Sequence, residues 1–282
     1  MGRGRRAAVL GSPVAHSLSP VLHEAAYAAL GLSDWHYERI AAGGAGEPTV
    51  AEVLAGLGPE WVGLSLTMPN KEAALAVAAG ATERARLVGA ANTLLRRGTG
   101  WLADSTDAYG LMRALREAGA PAAGEALVLG SGATARSACA ALAELGVGAV
   151  AFGVRAQARP ETVAVARSAG LATRELPLAD LPSYGRDFEL VVSTLPTGTD
   201  LGLPAGGAGA PGPGALVMDV VYGGWPTALA TWAQAGGARV LSGLDMLLHQ
   251  AAEQVWLMTE AYPPVPAMRA ALERATGIEL LH

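Results

Sequence analysis

Short apolar runs alternate with Ala- and Leu-rich helical stretches along most of the chain, and this alternation constrains the fold more than any other feature. Near the N-terminus, RAAVLG, WHYERI and WVGLSLT each precede a stretch of helical character, at about 20–30, at about 48–57 and from Lys71 onwards. Nearly continuous apolar strands that alternate with helices are typical of parallel βαβ units covered on both faces. The sequence therefore predicts an α/β protein.

A second series of strands and helices follows a predicted hairpin. ANTLLRRGTGWLAD has the pattern of two strands joined by a Gly-containing turn. The helix DAYGLMRALREAG then leads to EALVLGSG, AVAFGV, LVVSTLP and ALVMDVVY, with helices predicted between them at about 133–145 and 158–169. We interpret PTGTDLGLPAGGAGAPGPG as a loop, and we predict a long helix at 243–261 and a last helix near 265–276. A length of 282 residues suits two domains.

Composition excludes several classes of protein. The net charge of −5 and the isoelectric point near 5.6 argue against binding to nucleic acid or to an anionic membrane. Cys139 is the only cysteine, so the chain has no disulfide framework. The first apolar run spans about five residues, shorter than a secretory signal needs, and no stretch of about 18 apolar residues predicts a membrane span. We therefore expect a cytoplasmic protein, with no nucleic-acid or membrane partner.

The segment ALVLGSGATA contains a G-x-G-x-x-A pattern between an apolar strand and a helix. Gly130 permits the tight turn, Gly132 lets the backbone approach a pyrophosphate, and Ala135 allows close packing of helix on strand. The helix N-terminus offers free N–H groups to phosphate. The pattern predicts dinucleotide binding by Gly130, Ser131, Gly132, Ala133, Thr134 and Ala135; a tight turn without a ligand is the alternative.

The choice of cofactor follows from the next strand. NAD-binding folds usually end this strand with an acidic residue that holds the ribose 2′-hydroxyl. Here AVAFGVRAQAR has no acid and offers Arg155 and Arg159, which suit a 2′-phosphate. NADP is favoured over NAD, although the two arginines would also fit a solvated loop.

Polar residues interrupt the apolar pattern of the N-terminal half. Ser17 and Ser19 lie two residues apart, so an extended loop would direct both hydroxyls to one side, although SLSP alone is also typical of a helix N-cap. Thr67 and Lys71 follow the third predicted strand, and Lys71 is the only lysine in the chain. The segments GAANTL and DSTDAYG add the two further polar residues Asn92 and Asp107. Thr106-Asp107 would also serve as an N-cap, and Lys71 would also suit a solvated helix start.

These segments together resemble the shikimate dehydrogenases. In order, they are GSPVAHSLSPVLHEAAYAALGL, GLSLTMPNKEAA, VGAANTLL, STDAYG, VLGSGATAR, DVVYGGWPTALA and GLDMLLHQAAEQ, and the resemblance runs from about residue 8 to 260. The H-S-x-S-P, T-x-P-x-K, G-A-x-N-T and T-D segments are specific in combination. The resemblance implies an NADP-dependent oxidoreductase of aromatic amino acid biosynthesis that interconverts 3-dehydroshikimate and shikimate.

The resemblance also implies roles for individual residues. Lys71 and Asp107 would face the hydroxyl that becomes the ketone and act as the catalytic pair. The residues that match the family's substrate contacts are Ser17, Ser19, Thr67, Lys71, Asn92, Asp107, Tyr222 and Gln250. Those that match its cofactor contacts, besides the glycine-rich turn and Arg155, are Thr194, Val220, Gly243 and Met246.

The implied fold is an N-terminal α/β substrate domain plus a Rossmann-type doubly wound dinucleotide-binding domain. The substrate domain would span 1–105, completed by helices within 244–282, and the NADP-binding domain would span 106–243. The final helices would pack back onto the N-terminal domain. The oligomeric state implied is a monomer or a homodimer.

The chain departs from the family's pattern at four places. Ser65 stands where the family commonly has Asn, and Ser105 replaces the Asn of an Asn-Thr-Asp segment. Val154-Arg155-Ala156 replaces Asn-Arg-Thr, and Tyr222-Gly223-Gly224 replaces Tyr-Asn-Pro. None of these changes removes a group assigned to the chemistry.

The chemistry suggests why one lysine is present. Hydride reduction of a ketone leaves an alkoxide, which an ammonium group can protonate, and in the reverse direction a neutral lysine acts as base, which arginine cannot do. No metal is expected, because the histidines have no metal-ligand spacing. The alternatives are a quinate/shikimate or amino-shikimate dehydrogenase using NAD or NADP, and a non-catalytic protein that binds a nucleotide and a hydroxy acid.

Overall fold

The computed structural model describes residues 4–120 and 124–281, arranged in two compact units. Unit 1 consists of Met1–Gly110 and Leu247–Glu279, and unit 2 consists of Leu111–Met246 and Leu280–His282. The basic start of the chain at residues 1–3 lies outside the described residues, as does residue 282 at the end of the predicted substrate domain.

The helices and strands alternate along the chain as expected. The strands are β1 (Arg5–Gly11), β2 (Trp35–Ala41), β3 (Trp61–Leu66), β4 (Gly80–Ala81), β5 (Thr93–Arg97), β6 (Gly100–Asp104), β7 (Glu125–Leu129), β8 (Ala149–Val154), β9 (Ala172–Pro177), β10 (Leu190–Ser193), β11 (Leu216–Asp219) and β12 (Arg239–Leu241). The α-helices are α1 (Ser19–Ala29), α2 (Val50–Gly56), α3 (Lys71–Val77), α4 (Glu83–Val88), α5 (Thr106–Glu117), α6 (Ala133–Glu144), α7 (Pro160–Ser168), α8 (Leu181–Tyr184), α9 (Ala228–Ala235), α10 (Gly243–Thr259) and α11 (Val265–Thr276).

The sheet of unit 1 is mixed, in the order β2-β1-β3-β5-β6-β4. Strand β1 pairs in parallel with β2 and β3, as the βαβ pattern predicts. Strand β5 runs antiparallel to β3 and to β6, which confirms the predicted hairpin. Apolar clusters lie on this sheet around Leu64 and Leu94 and around Val9 and Tyr37. Helix α11 packs against α1 within this unit.

The sheet of unit 2 is parallel throughout, in the order β9-β8-β7-β10-β11-β12. The chain winds outward from β7 to β9 and then returns to β10 and winds the other way. This is the doubly wound dinucleotide-binding order, whose direction reverses between β7 and β10 and leaves a ligand crevice beyond the carboxyl ends of those strands. The predicted α/β fold class is confirmed.

Local chemistry explains where several helices begin and end. Thr49 and Glu52 form a capping box at the start of α2, in which each side chain accepts from the other residue's backbone N–H at 3.2 and 2.8 Å. Helix α11 begins beside proline and ends at Gly277, which has a φ of +70°. Helix α10 ends at Thr259, two residues before the predicted end, because Glu260 adopts a left-handed φ of +60°.

Several short elements were not predicted. Strand β4 has two residues and β12 has three, so neither is long enough to display a period of two. Helices α4 and α8 have six and four residues, too few to display a helical period. Strand β9 has the sequence ATRELP and is mostly solvent-exposed, so it lacks the apolar run by which the other parallel strands were recognised. Among the described residues, no helix is long and apolar enough to cross a membrane.

His23 is a fully buried histidine in the core of unit 1. Its ring stacks on Tyr37 with centroids 4.0 Å apart, and its Nε2 lies 3.3 Å from Gln254 Oε1. Burial lowers the pKa of His23 from 6.5 to about 3, although the hydrogen bond to Gln254 opposes the shift. The imidazole is therefore neutral at pH 7.

We expect the free energy of unfolding to fall as the pH is lowered from about 6.5 towards 3. In that interval the unfolded chain binds a proton at His23 that the folded protein does not bind. Between pH 7 and pH 5 the loss should be about 2 kcal/mol. Urea unfolding at both pH values measures the change in the free energy of unfolding. The variant His23→Phe retains a ring against Tyr37, and its free energy of unfolding should fall by about 2 kcal/mol less over the same interval. Equal pH dependence in the two proteins would contradict the assignment.

Candidate active site

Lys71 and Asp107 form an ion pair in unit 1. Lys71 is the first residue of α3, and Asp107 lies in the first turn of α5. The Nζ of Lys71 lies 2.6 Å from Oδ2 of Asp107, and the two side chains are 21% and 8% exposed. Lys71 therefore does not have the free, solvated side chain of the alternative interpretation.

The second oxygen of Asp107 is also engaged. Asn92, which is 2% exposed and directly precedes β5, donates from Nδ2 to Asp107 Oδ1 at 2.8 Å. Its Oδ1 accepts from the backbone N–H of Thr106 at 2.7 Å. Gln250 on α10 accepts from Asn92 Nδ2 at 3.1 Å. The structure thus brings Lys71, Asn92, Asp107 and Gln250 into one cluster.

Ser17 and Ser19 form a separate pair at the start of α1. Ser17 Oγ donates to Ser19 Oγ at 3.3 Å, and Arg39 donates to the carbonyl oxygen of Ser17 at 2.7 Å. The N-cap of α1 is Leu18, with no capping hydrogen bond from a side chain, so the interpretation of SLSP as an N-cap is wrong. Ser17 therefore lies two residues before α1, and Ser19 is its first residue, with its backbone N–H donating to Ser17 Oγ at 3.3 Å.

Thr67 lies directly beyond β3. Its backbone N–H donates to the carbonyl of Leu10 at 2.9 Å, and its methyl group occupies the space that a Cβ on residue 11 would need. Only glycine at position 11 permits this close approach of the two chain segments. The hydroxyl of Thr67 makes no hydrogen bond to another described residue, so it is available to a ligand.

Sequence reasoning missed several buried polar side chains beside this cluster. They are Tyr37, Thr93 and Gln254, with Ser65, which was recognised only as a departure from the family. Ser65 Oγ accepts from Tyr37 OH at 2.6 Å and donates to Gln254 Oε1 at 2.8 Å. One signal was present, because Gln254 lies four residues after Gln250 and so falls on the same face of α10.

A charged triad holds the end of β6, from which α5 begins. Arg84 donates from Nη2 to Asp104 Oδ2 at 3.0 Å and to Glu253 Oε1 at 3.2 Å. Asp104 also accepts from Thr82 Oγ1 and from the backbone N–H of Ser105, each at 2.7 Å. Asp104 precedes Asp107 by three residues, so these contacts help to fix where the Asp107 carboxylate lies.

In unit 2, the glycine-rich turn lies at the point where the strand order reverses. Gly130 has a φ of +95°, which favours glycine, and a Cβ there would lie 3.0 Å from Thr194 Oγ1. Gly132 begins α6 without a side-chain cap and has open space where a Cβ would be. Ala135 is fully buried against the sheet. The N–H of Gly130 donates to the Gly153 carbonyl at 2.9 Å. The turn that follows it, Ser131, Gly132, Ala133, Thr134 and Ala135, has the free N–H groups and the open approach that a pyrophosphate requires.

Two arginines follow β8, beside this turn. The backbone N–H of Arg159 donates to Ser131 Oγ at 3.2 Å, and Thr162 Oγ1 donates to the carbonyl of Ser131 at 2.7 Å. The guanidinium groups of Arg155 and Arg159 have no hydrogen bond or ion pair to another described residue. Two unpaired cations and no acid between them fit a phosphorylated ribose better than a free 2′-hydroxyl.

The remaining predicted contacts of unit 2 lie on three segments: Thr194 directly follows β10, Val220 and Tyr222 lie in the loop after β11, and Gly243 and Met246 lie in the first turn of α10. Val220 and Tyr222 lie against Gly243, since a Cβ on Gly243 would overlap the Val220 carbonyl group and lie 3.2 Å from Tyr222 Cδ1. Burial raises the pKa of Tyr222. Met246 is buried in the first turn of α10. The structure therefore brings Val220, Tyr222 and Gly243 together.

A pocket of about 250 Å³ lies in unit 2 between the loops that follow β10 and β11. Its lining includes Leu195, Pro196, Gly224 and Pro226, but none of the residues predicted to bind the cofactor. Asp219 beside it accepts from Thr227 Oγ1 at 2.8 Å, and burial raises its pKa. Asp219 therefore orders the loop that carries Tyr222.

Among the described residues, no group of three or more His, Cys, Asp or Glu side chains is placed to hold a metal ion. The polar groups that the candidate site presents are those of its lysine, carboxylate, amide and hydroxyl side chains.

Comparison with known proteins agrees with the resemblance. Residues 9–94 match the profile of the shikimate dehydrogenase substrate binding domain, and residues 243–273 match that of the shikimate 5′-dehydrogenase C-terminal domain. The shikimate dehydrogenase (NADP(+)) of Geobacter metallireducens is 36% identical over 287 residues, which cover 97% of this chain and 99% of that protein.

Two solved structures are similar over nearly the whole chain. The crystal structure of Mycobacterium tuberculosis shikimate dehydrogenase has a TM-score of 0.81 and 46% sequence identity, with 96% of this chain and 99% of that chain covered. Shikimate 5-dehydrogenase from Thermus thermophilus, solved in complex with NADP(H) and shikimate, has a TM-score of 0.79 and 33% identity, with 96% and 99% covered.

Proposed function

This chain belongs to the shikimate dehydrogenase family, and on that premise we propose that it catalyses the reversible, NADP-dependent reduction of 3-dehydroshikimate to shikimate through Lys71 and Asp107. The observation that carries the assignment of residues is the 2.6 Å ion pair between the chain's single lysine and a largely buried carboxylate. The pair lies in the same unit as the predicted substrate-binding serines.

The substrate is an anion with several hydroxyl groups, and the polar residues of unit 1 suit both features. The hydroxyls of Ser17, Ser19 and Thr67 are donors for the carboxylate and ring hydroxyls, and the Thr67 hydroxyl has no competing partner among the described residues. Asn92 and Gln250 supply amide groups beside Asp107. Tyr222 of unit 2 is proposed as a further substrate contact.

The proton transfer is assigned to Lys71. As the ketone receives a hydride it develops alkoxide charge, and the Lys71 ammonium donates first a hydrogen bond and then a proton to that oxygen. In the oxidation direction neutral Lys71 accepts the hydroxyl proton. Asp107 holds the amine through Oδ2 and is itself held through Oδ1, so the amine is oriented before substrate arrives. General acid–base help of this kind contributes roughly 10²–10⁴ in rate.

The cofactor is NADP, and it supplies or accepts the hydride when bound. The N–H groups at Gly132 and in the first turn of α6 are proposed to bind its pyrophosphate, and Arg155 its 2′-phosphate. Thr194, Val220, Gly243 and Met246 are proposed to line the nicotinamide end. The presence of Arg155, although its neighbours differ from the family's Asn-Arg-Thr segment, supports the choice of NADP. A cytoplasmic location and a monomeric or homodimeric state remain predictions.

Initial-rate assays test this function. With shikimate and NADP⁺ we expect absorbance at 340 nm to rise, and NAD⁺ should support slower turnover at equal concentration because it offers the arginines no 2′-phosphate. Quinate and an amino analogue of shikimate, assayed with both cofactors, serve as competing substrates. Faster turnover of either analogue would reassign the substrate. Binding of shikimate and nucleotide without any absorbance change would instead favour a non-catalytic binding protein.

A further inference from the structure

We infer that Gln254 and Thr93 are positioning residues, which fix the direction of a buried hydrogen-bond chain that ends on Asp107. The inference rests on the proposed function, because it concerns how the candidate acid–base pair is held. Neither side chain belongs to the candidate site itself, and both are fully buried in unit 1.

Gln254 has its full hydrogen-bonding capacity satisfied. Its Oε1 accepts from Ser65 Oγ at 2.8 Å and lies 3.3 Å from His23 Nε2. Its Nε2 donates to the carbonyl oxygen of Asn92 at 3.2 Å and to Thr93 Oγ1 at 2.9 Å. A side-chain amide has two donor hydrogens and an acceptor oxygen, and here each has a partner.

Backbone groups at both ends of the hydrogen-bond chain determine which atom donates and which accepts at each link. The Asn92 carbonyl accepts hydrogen bonds only, so the end of Gln254 that faces it is the NH₂ group. That group also donates to Thr93 Oγ1, so the Thr93 hydrogen is left to donate onward, to Asn92 Oδ1 at 2.9 Å. The backbone N–H of Thr106 donates only, and it meets the same Asn92 Oδ1 at 2.7 Å.

The last link follows from these directions. Asn92 Oδ1 accepts from the Thr93 hydroxyl, from the Thr106 backbone N–H and, at 3.2 Å, from the Thr106 hydroxyl, so Nδ2 is the end that faces Asp107 Oδ1, at 2.8 Å. Asp107 therefore receives one hydrogen bond from the Asn92 amide and one from the Lys71 ammonium. Without the Thr93 hydroxyl, the Asn92 amide loses one of the three hydrogen bonds that its oxygen accepts, and the carboxylate is held less firmly.

The same hydrogen-bond chain extends from Gln254 to Tyr37. Ser65 Oγ donates to Gln254 Oε1 at 2.8 Å and accepts from Tyr37 OH at 2.6 Å. Gln254 therefore links the strand that precedes Lys71 to the strand that follows Asn92 through buried contacts.

The primary test compares Thr93→Val with Thr93→Ser. Valine keeps the shape and removes the hydroxyl, and serine keeps the hydroxyl. We expect Thr93→Val to lower kcat with shikimate and NADP⁺ roughly 10- to 100-fold, as small misplacements of catalytic groups do. The KM for NADP⁺ should be unchanged, because that site lies in unit 2. Thr93→Ser should stay within about threefold of wild type.

Two further variants separate positioning from stability. Gln254→Met should lower kcat like Thr93→Val, because it removes the donor that directs the Thr93 hydroxyl. Tyr27→Phe is the matched control: it also removes a buried hydroxyl of unit 1, but one without a hydrogen-bond partner, so kcat should not change. Thermal unfolding midpoints are measured for all four variants, and rates are taken well below each midpoint.

The outcomes distinguish this inference from the proposed function. If the wild-type protein oxidises shikimate and Thr93→Val does so at the same rate, the inference alone is overturned. It is also overturned if Thr93→Ser loses as much rate as Thr93→Val, or if the lost rate follows the unfolded fraction. If the wild-type protein does not turn over shikimate, the proposed function is wrong, and the inference that rests on it is overturned as well.

Discussion

Replacement of Lys71 by arginine is expected to lower kcat at least about 100-fold while substrate binding stays broadly intact. Arginine keeps the positive charge and the ability to pair with Asp107, but it does not release a proton in a protein. A residue that only stabilised the alkoxide by charge would tolerate the exchange, whereas a residue that delivers the proton would not. The expected loss is the lower end of the acid–base range, and it corresponds to about 3 kcal/mol of barrier.

Steady-state kinetics with shikimate and NADP⁺ measure this loss. The KM for shikimate should change much less than kcat, because the charge that faces the substrate is kept. Arg174→Lys is a matched control, because it replaces one cationic side chain by the other at the ion pair with Glu125 in unit 2. This variant should leave kcat near the wild-type value. Near-normal turnover by Lys71→Arg would refute the role of Lys71 as the proton donor.

Replacement of Asp107 by asparagine is expected to cause a comparable loss of kcat. The amide is neutral, so Lys71 loses the charge that holds its amine. The asparagine NH₂ group must also point either at the Lys71 ammonium or at Asn92 Nδ2, and both of these are donors. The variant therefore disturbs the amine and the Asn92 amide together.

The kinetics of single and double variants test the pairing. If Lys71 and Asp107 act as a unit, Lys71→Arg combined with Asp107→Asn should lose little more rate than the poorer single variant. Asp34→Asn, an exposed position in unit 1, controls for the loss of one negative charge. A wild-type rate in Asp107→Asn, or fully additive losses in the double variant, would remove the argument for the pair.

The parts of the molecule that were predictable are those whose cause is local in the sequence. The turn at Gly130 follows an apolar strand and opens a helix, so its conformation follows from about ten consecutive residues. Strands β7, β8, β10 and β11 of unit 2 were recognised because they are buried on both faces and so are apolar throughout. Strand β9 has no such requirement, because most of its residues face solvent, and it was missed.

The hydrogen-bond chain was not predictable, because its partners are distant in sequence. Gln254 and Thr93 are 161 residues apart, and each is ordinary in its own element. A glutamine on a long helix usually faces solvent, and a threonine in a strand is common for its shape alone. Lys71 and Asp107 were assigned from motifs, but no spacing in those motifs specifies which oxygen of Asp107 each neighbour contacts.

The division of unit 1 into two segments has a consequence for synthesis. The ribosome synthesises β1 to β6, which include Ser65 and Thr93 and the intervening Asn92, before it synthesises any of Leu111–Met246. Gln254 emerges only after unit 2 is nearly complete. Until then the nascent sheet lacks α11 and the Gln254 amide, so the surface of α1 that α11 covers in the folded protein is exposed, as in the folding intermediates that chaperones bind. The unit that carries Lys71 and Asp107 is thus translated first but completed last.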